Sequence, residues 1–311
     1  MATALILLAA GKGTRMQSEL PKVLHEVGNA PLLHHAMMSA ASIAPERQVI
    51  VAGHGAEEVA AAARVYDADV DVVLQTEQLG TAHAVDQARN VLEDFDGDAL
   101  VLYGDTPFIQ PETLEAMRAA RAKHAVVVLG FEAADPARYG RLVTQGDTLE
   151  RIVEYKDASE QERAITLCNS GVIAADCKTL FKLLAEVGND NAAGEYYLTD
   201  IPALARAAGL SAGVVRCSEA ETLGINSRAE LAQAEAIFQS RMRRNALDTG
   251  VALQSPDTVH LSADTVLGRD SVIEPNIVFG PGVTVETGAH NRAFSHLEGC
   301  HVARGAIVGP Y

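Results

Sequence analysis

Gly11-Lys12-Gly13-Thr14-Arg15-Met16 follows directly on the apolar run Leu5-Ile6-Leu7-Leu8-Ala9-Ala10, and Pro21-Lys22-Val23-Leu24-His25 comes shortly after. An apolar run that opens into glycines is how a buried strand hands its backbone to a phosphate: Gly11 and Gly13 have no side chains to keep an anion off the main-chain N–H groups. Arg15 and Lys22 then supply the positive charge a triphosphate needs. The spacing matches neither G-x-G-x-x-G nor G-x-x-x-x-G-K-[ST], which excludes the dinucleotide fingerprint and the P-loop. A nucleotide-binding loop of another type remains. A secretory reading of the opening run fails, because no Lys or Arg precedes it and Lys12 and Arg15 stand where a cleavage site belongs.

Further segments could complete such a site. Gln75-Thr76-Glu77-Gln78-Leu79-Gly80-Thr81-Ala82-His83-Ala84 is a polar loop whose Gly-Thr opens a helix. Gln75 can both donate and accept, as selecting a pyrimidine requires. Taken alone, Thr81 reads as a helix cap and His83 as a helix-surface histidine. Tyr103-Gly104-Asp105 follows an apolar run, and a carboxylate just past the carboxyl end of a strand is well placed for Mg²⁺. The segments around Gly140, Glu154, Asn169 and residues 194–200 mix glycine, carboxylate, amide and hydroxyl groups, a set that suits the hydroxyls of a sugar. Asn226 offers a last amide, with an N-cap at Asn226 or Ser227 as the plainer reading.

These groups need a scaffold. A chain of 311 residues holds two domains, or one large domain with an extension. Composition is that of a soluble globular protein, 48% hydrophobic and 21% charged. With 41 acidic against 25 basic residues the net charge is −16, which argues against nucleic acid or an anionic membrane as partner. The same charge means that a polyanionic nucleotide needs local basic residues and a divalent cation. No apolar stretch approaches the ~18–20 residues that cross a bilayer. Cys168, Cys177, Cys217 and Cys300 lack C-x-x-C spacing, so free thiols in a reducing cytoplasm are expected and no zinc site.

Up to about residue 245, apolar runs at 4–9, 48–52, 70–74, 99–103, 125–130 and 213–216 alternate with helical stretches at 31–43, 55–65, 81–92 and 111–123. Continuous rather than alternating hydrophobicity predicts strands covered on both faces, hence a largely parallel, doubly wound α/β domain over residues 1–227. Residues 228–250 read as a linker helix. Beyond it the period becomes six: Leu261, Leu267, Ile273, Phe279 and Val285 form one row, broken at Asn291 and resumed at Leu297. Val266, Val272 and Val278 form a second row, which Val302 and Val308 continue. A six-residue period predicts a parallel β-helix over residues 251–311, roughly three coils long. No polar cap follows Ala306-Ile307-Val308-Gly309-Pro310, so a truncated C-terminus, or a partner covering it, is expected.

In this order, the loop with Pro-Lys-Val-Leu, the Glu-Gln-Leu-Gly-Thr, Tyr-Gly-Asp and Glu-Tyr-Tyr-Leu-Thr-Asp segments and the hexapeptide tail resemble the bacterial bifunctional N-acetylglucosamine-1-phosphate uridyltransferase/glucosamine-1-phosphate N-acetyltransferase family over essentially the whole chain. The resemblance implies a Rossmann-like nucleotidyltransferase domain followed by a left-handed parallel β-helix, and a homotrimer. It places Leu8, Ala9, Ala10 and Gly11 on the uridine nucleotide, Gln75, Gly80 and Thr81 on the uracil side, and Arg15 and Lys22 on phosphates. Gly140, Glu154 and Asn169 become sugar contacts beside Tyr103 and Gly104, and Asp105 and Asn226 hold Mg²⁺. The implied substrates are UTP and N-acetylglucosamine 1-phosphate, in the cytoplasm. The acetyl-transfer half is expected to be missing, and His290, His296 and His301 to be turn or interface residues. Two rivals stand: a nucleotidyltransferase for another sugar or base, and a non-catalytic assembly subunit of similar fold.

Overall fold

The computed structural model describes residues 2–146 and 148–311, in two compact units: residues 1–24 with 32–224, and residues 25–31 with 225–311. The first unit starts with β1 (Thr3–Ala9), buried along its whole length. Ala4, Ile6 and Leu8 join one hydrophobic cluster while Leu5, Leu7 and Ala9 join another. Strand side chains alternate between faces, so this split means both faces of the sheet are covered, which is why the run had to be continuously apolar. Each fully buried Leu or Ile here contributes ~1.5–3 kcal/mol.

The hairpin β2 (Glu26–Val27) and β3 (Ala30–Pro31) belongs to the second unit. The first unit continues with β4 (Arg47–Ala52), β5 (Asp71–Leu74), β6 (Asp98–Tyr103), β7 (Val126–Glu132), β8 (Arg141–Gln145), β9 (Thr148–Val153), β10 (Leu167–Asp176) and β11 (Ala212–Cys217). Its nine-stranded sheet has the order β5-β4-β1-β6-β10-β7-β11-β9-β8. One cluster receives α1 (Leu32–Ala41), α2 (Ala56–Tyr66) and α4 (Pro111–Arg121), and the other receives α3 (Thr81–Asp86), α6 (Cys177–Leu184) and α7 (Ile201–Ala207), with α5 (Glu160–Arg163) near β8. The result is three layers, helices on both sides of one sheet.

The sheet is less parallel than its apolar runs predict. β10 runs antiparallel between β6 and β7, and the β8–β9 hairpin closes the far edge. Asn169, Ser170 and Gly171 interrupt the apolar pattern of β10 at a bulge against β7, which hides this ten-residue strand from a hydropathy reading. The helix expected over 81–92 ends at Asp86 and gives way to single turns. A buried ion pair, Arg121 Nη2 to Asp98 Oδ1 at 2.7 Å, ties the end of α4 to the start of β6, the strand that leads to Asp105.

The second unit starts its long helix α8 (Arg228–Asp248) at Ser227, whose side chain accepts from Glu230 N–H. Ser227 is therefore the cap. Gln239 exchanges two hydrogen bonds with the Leu261 backbone, 2.7 and 2.9 Å, and Glu235 accepts from Gly28 N–H at 2.7 Å. Ten short strands follow: β12 (Ala252–Leu253), β13 (Val259–His260), β14 (Val266–Leu267), β15 (Val272–Ile273), β16 (Ile277–Phe279), β17 (Thr284–Val285), β18 (His290–Asn291), β19 (His296–Leu297), β20 (His301–Val302) and β21 (Ile307–Val308). They stack into three parallel ladders, β12-β15-β18-β21, β13-β16-β19 and β14-β17-β20, the three walls of a β-helix. Ile273, Phe279, Val285 and Asn291 are buried, whereas Val266 and Val278 are exposed. The two rows thus face inward and outward respectively. Val302 pairs with Val285 and Val308 with Asn291, so both continue the inward row, not the outward one expected. The cause is a repeat between Leu297 and Val302 that is one residue short.

Candidate active site

A cleft of about 380 Å³ opens where β1 and β6 end. The chain leaves β1 for β4 on one side of it and returns as β6 on the other, so this is the crevice at which a doubly wound sheet binds ligands. Leu8, Ala9, Ala10, Gly11, Lys22, Gln75, Gly80, Thr81, Tyr103 and Asp105, ten of the expected site residues, line it. Val23, Gln78, Ala84 and Glu195 complete the lining.

Lys22 is placed by its neighbours. Pro21 O accepts from Leu24 N–H at 2.9 Å, forming a short helical turn whose Val23 and Leu24 are buried and anchor it. The Lys22 side chain crosses the face of Gly13, which has φ +59°; a Cβ on Gly13 would sit 2.6 Å from Lys22 Cβ. Lys22 Nζ ends on Asp105 Oδ2 as an ion pair with both side chains largely buried. Asp105 is held in turn because Gly104 N–H donates to Leu8 O at 3.0 Å and Thr106 closes a turn onto Tyr103 O. Arg15 and Gly13 lie in the adjacent turn; Arg15 is exposed and neither lines the cleft.

On the other wall, Gln75 N–H donates to Ala52 O at 2.8 Å and its Nε2 donates to Gly80 O at 3.1 Å. Gln78 Nε2 donates to Ala10 O at 2.8 Å, fastening this loop to the glycine loop. Thr81 is not the cap of α3: Gly80 holds that position, and the Thr81 hydroxyl accepts from Leu198 N–H at 3.0 Å. Burial first, then the charges of Asp105 and Glu154, pushes the Tyr103 phenol above its ordinary range, so it stays neutral; its bond with Thr81 acts the other way.

Gly140 just before β8, Glu154 just after β9 and Asn169 within β10 meet. Asn169 N–H donates to Gly140 O at 2.8 Å, and a Cβ on Gly140 would lie 3.6 Å from Glu154 Oε1. The fully buried Arg141 fixes this corner by donating to the carbonyls of Pro136, Ala137 and Tyr139. Asn169 Oδ1 accepts from Gly171 N–H at 3.0 Å, which leaves its amide N–H groups for a ligand. Burial raises the Glu154 carboxyl above the usual carboxylate range; the Thr199 hydroxyl, donating to it at 3.1 Å, partly offsets this, and Asp157 and Asp200 raise it further. Glu154 and Thr199 share a second hollow of about 340 Å³. Tyr103 and Asn169 line one small space together.

Gln78, Glu195 and Thr199 are additional lining residues, and each falls inside one of the polar segments at 75–84 and 194–200 without a spacing of its own that marks it. Asn226 belongs to the second unit, where its backbone N–H donates to Glu230 Oε2 at 2.6 Å. Its pairing with Asp105 rests on the resemblance. Among the described residues no group of three or more His, Cys, Asp or Glu could hold a metal. The carboxylate of Asp105 at the cleft is the kind of group that suits a divalent cation held mainly by substrate phosphates and water. All four cysteines are free. Among the described residues no helix is long and apolar enough to cross a membrane.

Residues 5–171 match the MobA-like NTP transferase domain. The bifunctional protein GlmU of Roseobacter denitrificans is 66% identical over 311 residues, 100% of this chain and 69% of that protein. GlmU of Ruegeria pomeroyi is 68% identical over the same 311 residues, again 69% of its length. The chain belongs to the GlmU family. GlmU of Cereibacter sphaeroides is 68% identical across 97% of the chain. Among solved structures, a UDP-glucose pyrophosphorylase complexed with UDP-glucose matches with a TM-score of 0.61 at 16% identity, covering 78% of this chain and all of that one. A candidate glucose-1-phosphate thymidylyltransferase from Bacillus anthracis matches with a TM-score of 0.61 at 21% identity, covering 76% and 95%. At those identities the two structures speak for the fold alone, which this chain shares with them.

Proposed function

We propose that this chain is a uridylyltransferase that converts UTP and N-acetylglucosamine 1-phosphate into UDP-N-acetylglucosamine and pyrophosphate. One observation carries the reading: a single cleft brings together the glycine-loop backbone, the Gln75 amide and the Lys22–Asp105 pair. A base reader and a phosphate charge pair thus share one pocket, and the Gly140–Glu154–Asn169 corner, whose Asn169 shares a small space with Tyr103, is proposed for the sugar. Membership of the GlmU family supports the same reaction.

In that reaction a phosphate oxygen of the sugar phosphate forms a bond to the α-phosphorus of UTP, and the bond to the bridging oxygen of pyrophosphate breaks. The second pKa of a phosphate monoester is near ~6, so the nucleophile is already ionised and no side-chain base is needed. Catalysis then comes from in-line positioning and charge neutralisation. Lys22 offers its ammonium to Asp105 or to an incoming phosphate, and the glycine-loop amides face the same cleft. Asp105, with the Asn226 amide assigned to the same ion by the resemblance, is the proposed anchor of Mg²⁺, which when bound neutralises phosphate charge. The cytoplasmic location, the left-handed twist of the coils and a homotrimer through them belong to the same proposal.

The test is pyrophosphate release with UTP, CTP, GTP and dTTP, each with N-acetylglucosamine 1-phosphate or glucose 1-phosphate. The expected result is release fastest with UTP and the N-acetylated sugar. Preference for another pair selects the first rival, and no release with any pair selects the assembly subunit. Arg15→Ala is expected to lower kcat by ~10²-fold while leaving the fold intact, since Arg15 is exposed and would act as a charge stabiliser on the phosphates. A near-normal kcat in that variant removes Arg15 from the mechanism.

A further inference from the structure

We propose that His83 is a positioning residue: it holds the Gln75 amide in the orientation that presents Oε1 to the base, and so favours a base with a ring N–H. The inference rests on the reading of the cleft as a uracil site with Gln75 on the base. Gln75 is 6% exposed, and its Nε2 lies 3.1 Å from both Gly80 O and His83 Nδ1. Two acceptors use up the two amide hydrogens. Oε1 has no hydrogen-bond partner among the described residues, and Gln75 lines the cleft.

An acceptor held at ring position 3 takes the N3–H of uracil and faces a lone pair in cytosine. The amide would reverse that preference if it turned over, and Gly80 O alone opposes the turn with one neutral hydrogen bond. The imidazole supplies the second restraint.

The far side of His83 bears on the same question. Gln87 Nε2 lies 3.2 Å from His83 Nε2 and 2.9 Å from His83 O. A neutral imidazole accepts at one nitrogen and donates at the other, so both amides cannot donate to it. Gln87 is half-exposed, and water can replace its bond to His83 O when its amide turns to accept from Nε2–H. Gln75 is buried with two acceptors in reach and has no such freedom. The ring therefore settles as the Nε2–H tautomer with its lone pair on Gln75. A histidine on the first turns of α3, which alone looks like a surface residue, thus joins the wall of the cleft through a neighbour's amide.

The test compares kcat/KM for UTP with kcat/KM for CTP, alongside KM for N-acetylglucosamine 1-phosphate, in wild type and in His83→Leu, His83→Gln and His83→Asn. Asn places an amide oxygen near the position of Nδ1, whereas Gln reaches only the position of Nε2 and Leu offers no acceptor. The expected result is a five- to tenfold fall in the UTP/CTP ratio for Leu and Gln, about the worth of one hydrogen bond. Asn should restore the ratio, and KM for the sugar phosphate should stay within twofold in all three. In a Gln75→Ala background, His83→Leu should leave the ratio unchanged. Equal losses in Leu, Gln and Asn would overturn the proposal, as would an effect that persists without Gln75. If His83→Leu does not fold, His83→Gln carries the comparison. A ratio that collapses in Gln75→Ala but ignores His83 overturns the inference and keeps the site reading. A ratio that ignores Gln75→Ala overturns the site reading itself.

Discussion

Asp105→Asn is expected to lower kcat by ~10²- to 10³-fold, the range seen when a preorganised charge stabiliser is removed from a transferring phosphoryl group. The substitution keeps the size of the side chain and its turn at the end of β6, and removes only the charge. Two consequences follow from the geometry. Among the described residues Asp105 forms an ion pair with Lys22, so the substitution takes this negative charge away from the ammonium in a largely buried place. A hard anionic oxygen is also lost from the proposed Mg²⁺ anchor, and Asn offers a neutral one in its place. Raising the Mg²⁺ concentration should recover little of the rate, because the missing charge also orders Lys22. Steady-state pyrophosphate release across a Mg²⁺ titration measures this. Activity within threefold of wild type at ordinary Mg²⁺ would take Asp105 out of the mechanism.

Gly80→Ala should destabilise the protein by ~3 kcal/mol or more and depress kcat/KM for UTP more than it changes KM for the sugar phosphate. Gly80 has φ +118° and ψ 177°, a region essentially closed to residues with a side chain, at a cost of ~1–3 kcal/mol. The added Cβ would also lie 2.4 Å from Tyr196 O and 2.8 Å from Tyr196 N. Those are backbone atoms of a segment stitched to this turn, with Tyr196 N–H on Leu79 O at 2.8 Å and Ala82 N–H on Tyr196 O at 3.0 Å. Relieving the contact breaks one or both bonds, at ~1 kcal/mol each. The same movement displaces Gly80 O from Gln75 Nε2 and Thr81 from Leu198, so the base end of the cleft suffers first. Thermal unfolding and separate kcat/KM values for each substrate check both parts. An unfolding midpoint within 2 °C of wild type, equivalent to less than ~1 kcal/mol for a unit of this size, would contradict the strain argument.

Much of the fold was legible because burial leaves a mark on sequence. β1, β4 and β6 sit between two helical layers, so their apolar runs are unbroken and stand out. The coil walls repeat every six residues because each wall presents one inward side chain, and Ile273, Phe279 and Val285 show it. β10 was not legible: its Asn169-Ser170-Gly171 bulge looks like a loop until β6 and β7 are seen on either side of it. The misplaced row of Val302 and Val308 has a similar origin, since a repeat shortened by one residue shifts every later side chain to the opposite face.

By itself the sequence determined what depends on neighbouring residues: strands that must be buried, a glycine loop fit for phosphate, a coil period, and the types of group available for a nucleotide and a sugar. Only the tertiary structure decided which of those groups meet. Lys22 and Asp105 are 83 residues apart and touch because β1 and β6 are adjacent. Gly140, Glu154 and Asn169 converge because β8 pairs with both β9 and β10. His83 faces Gln75 because the intervening loop folds back to begin α3. Contacts of this kind depend on chain crossings and strand order, which cost nothing in local propensity and so leave no local trace.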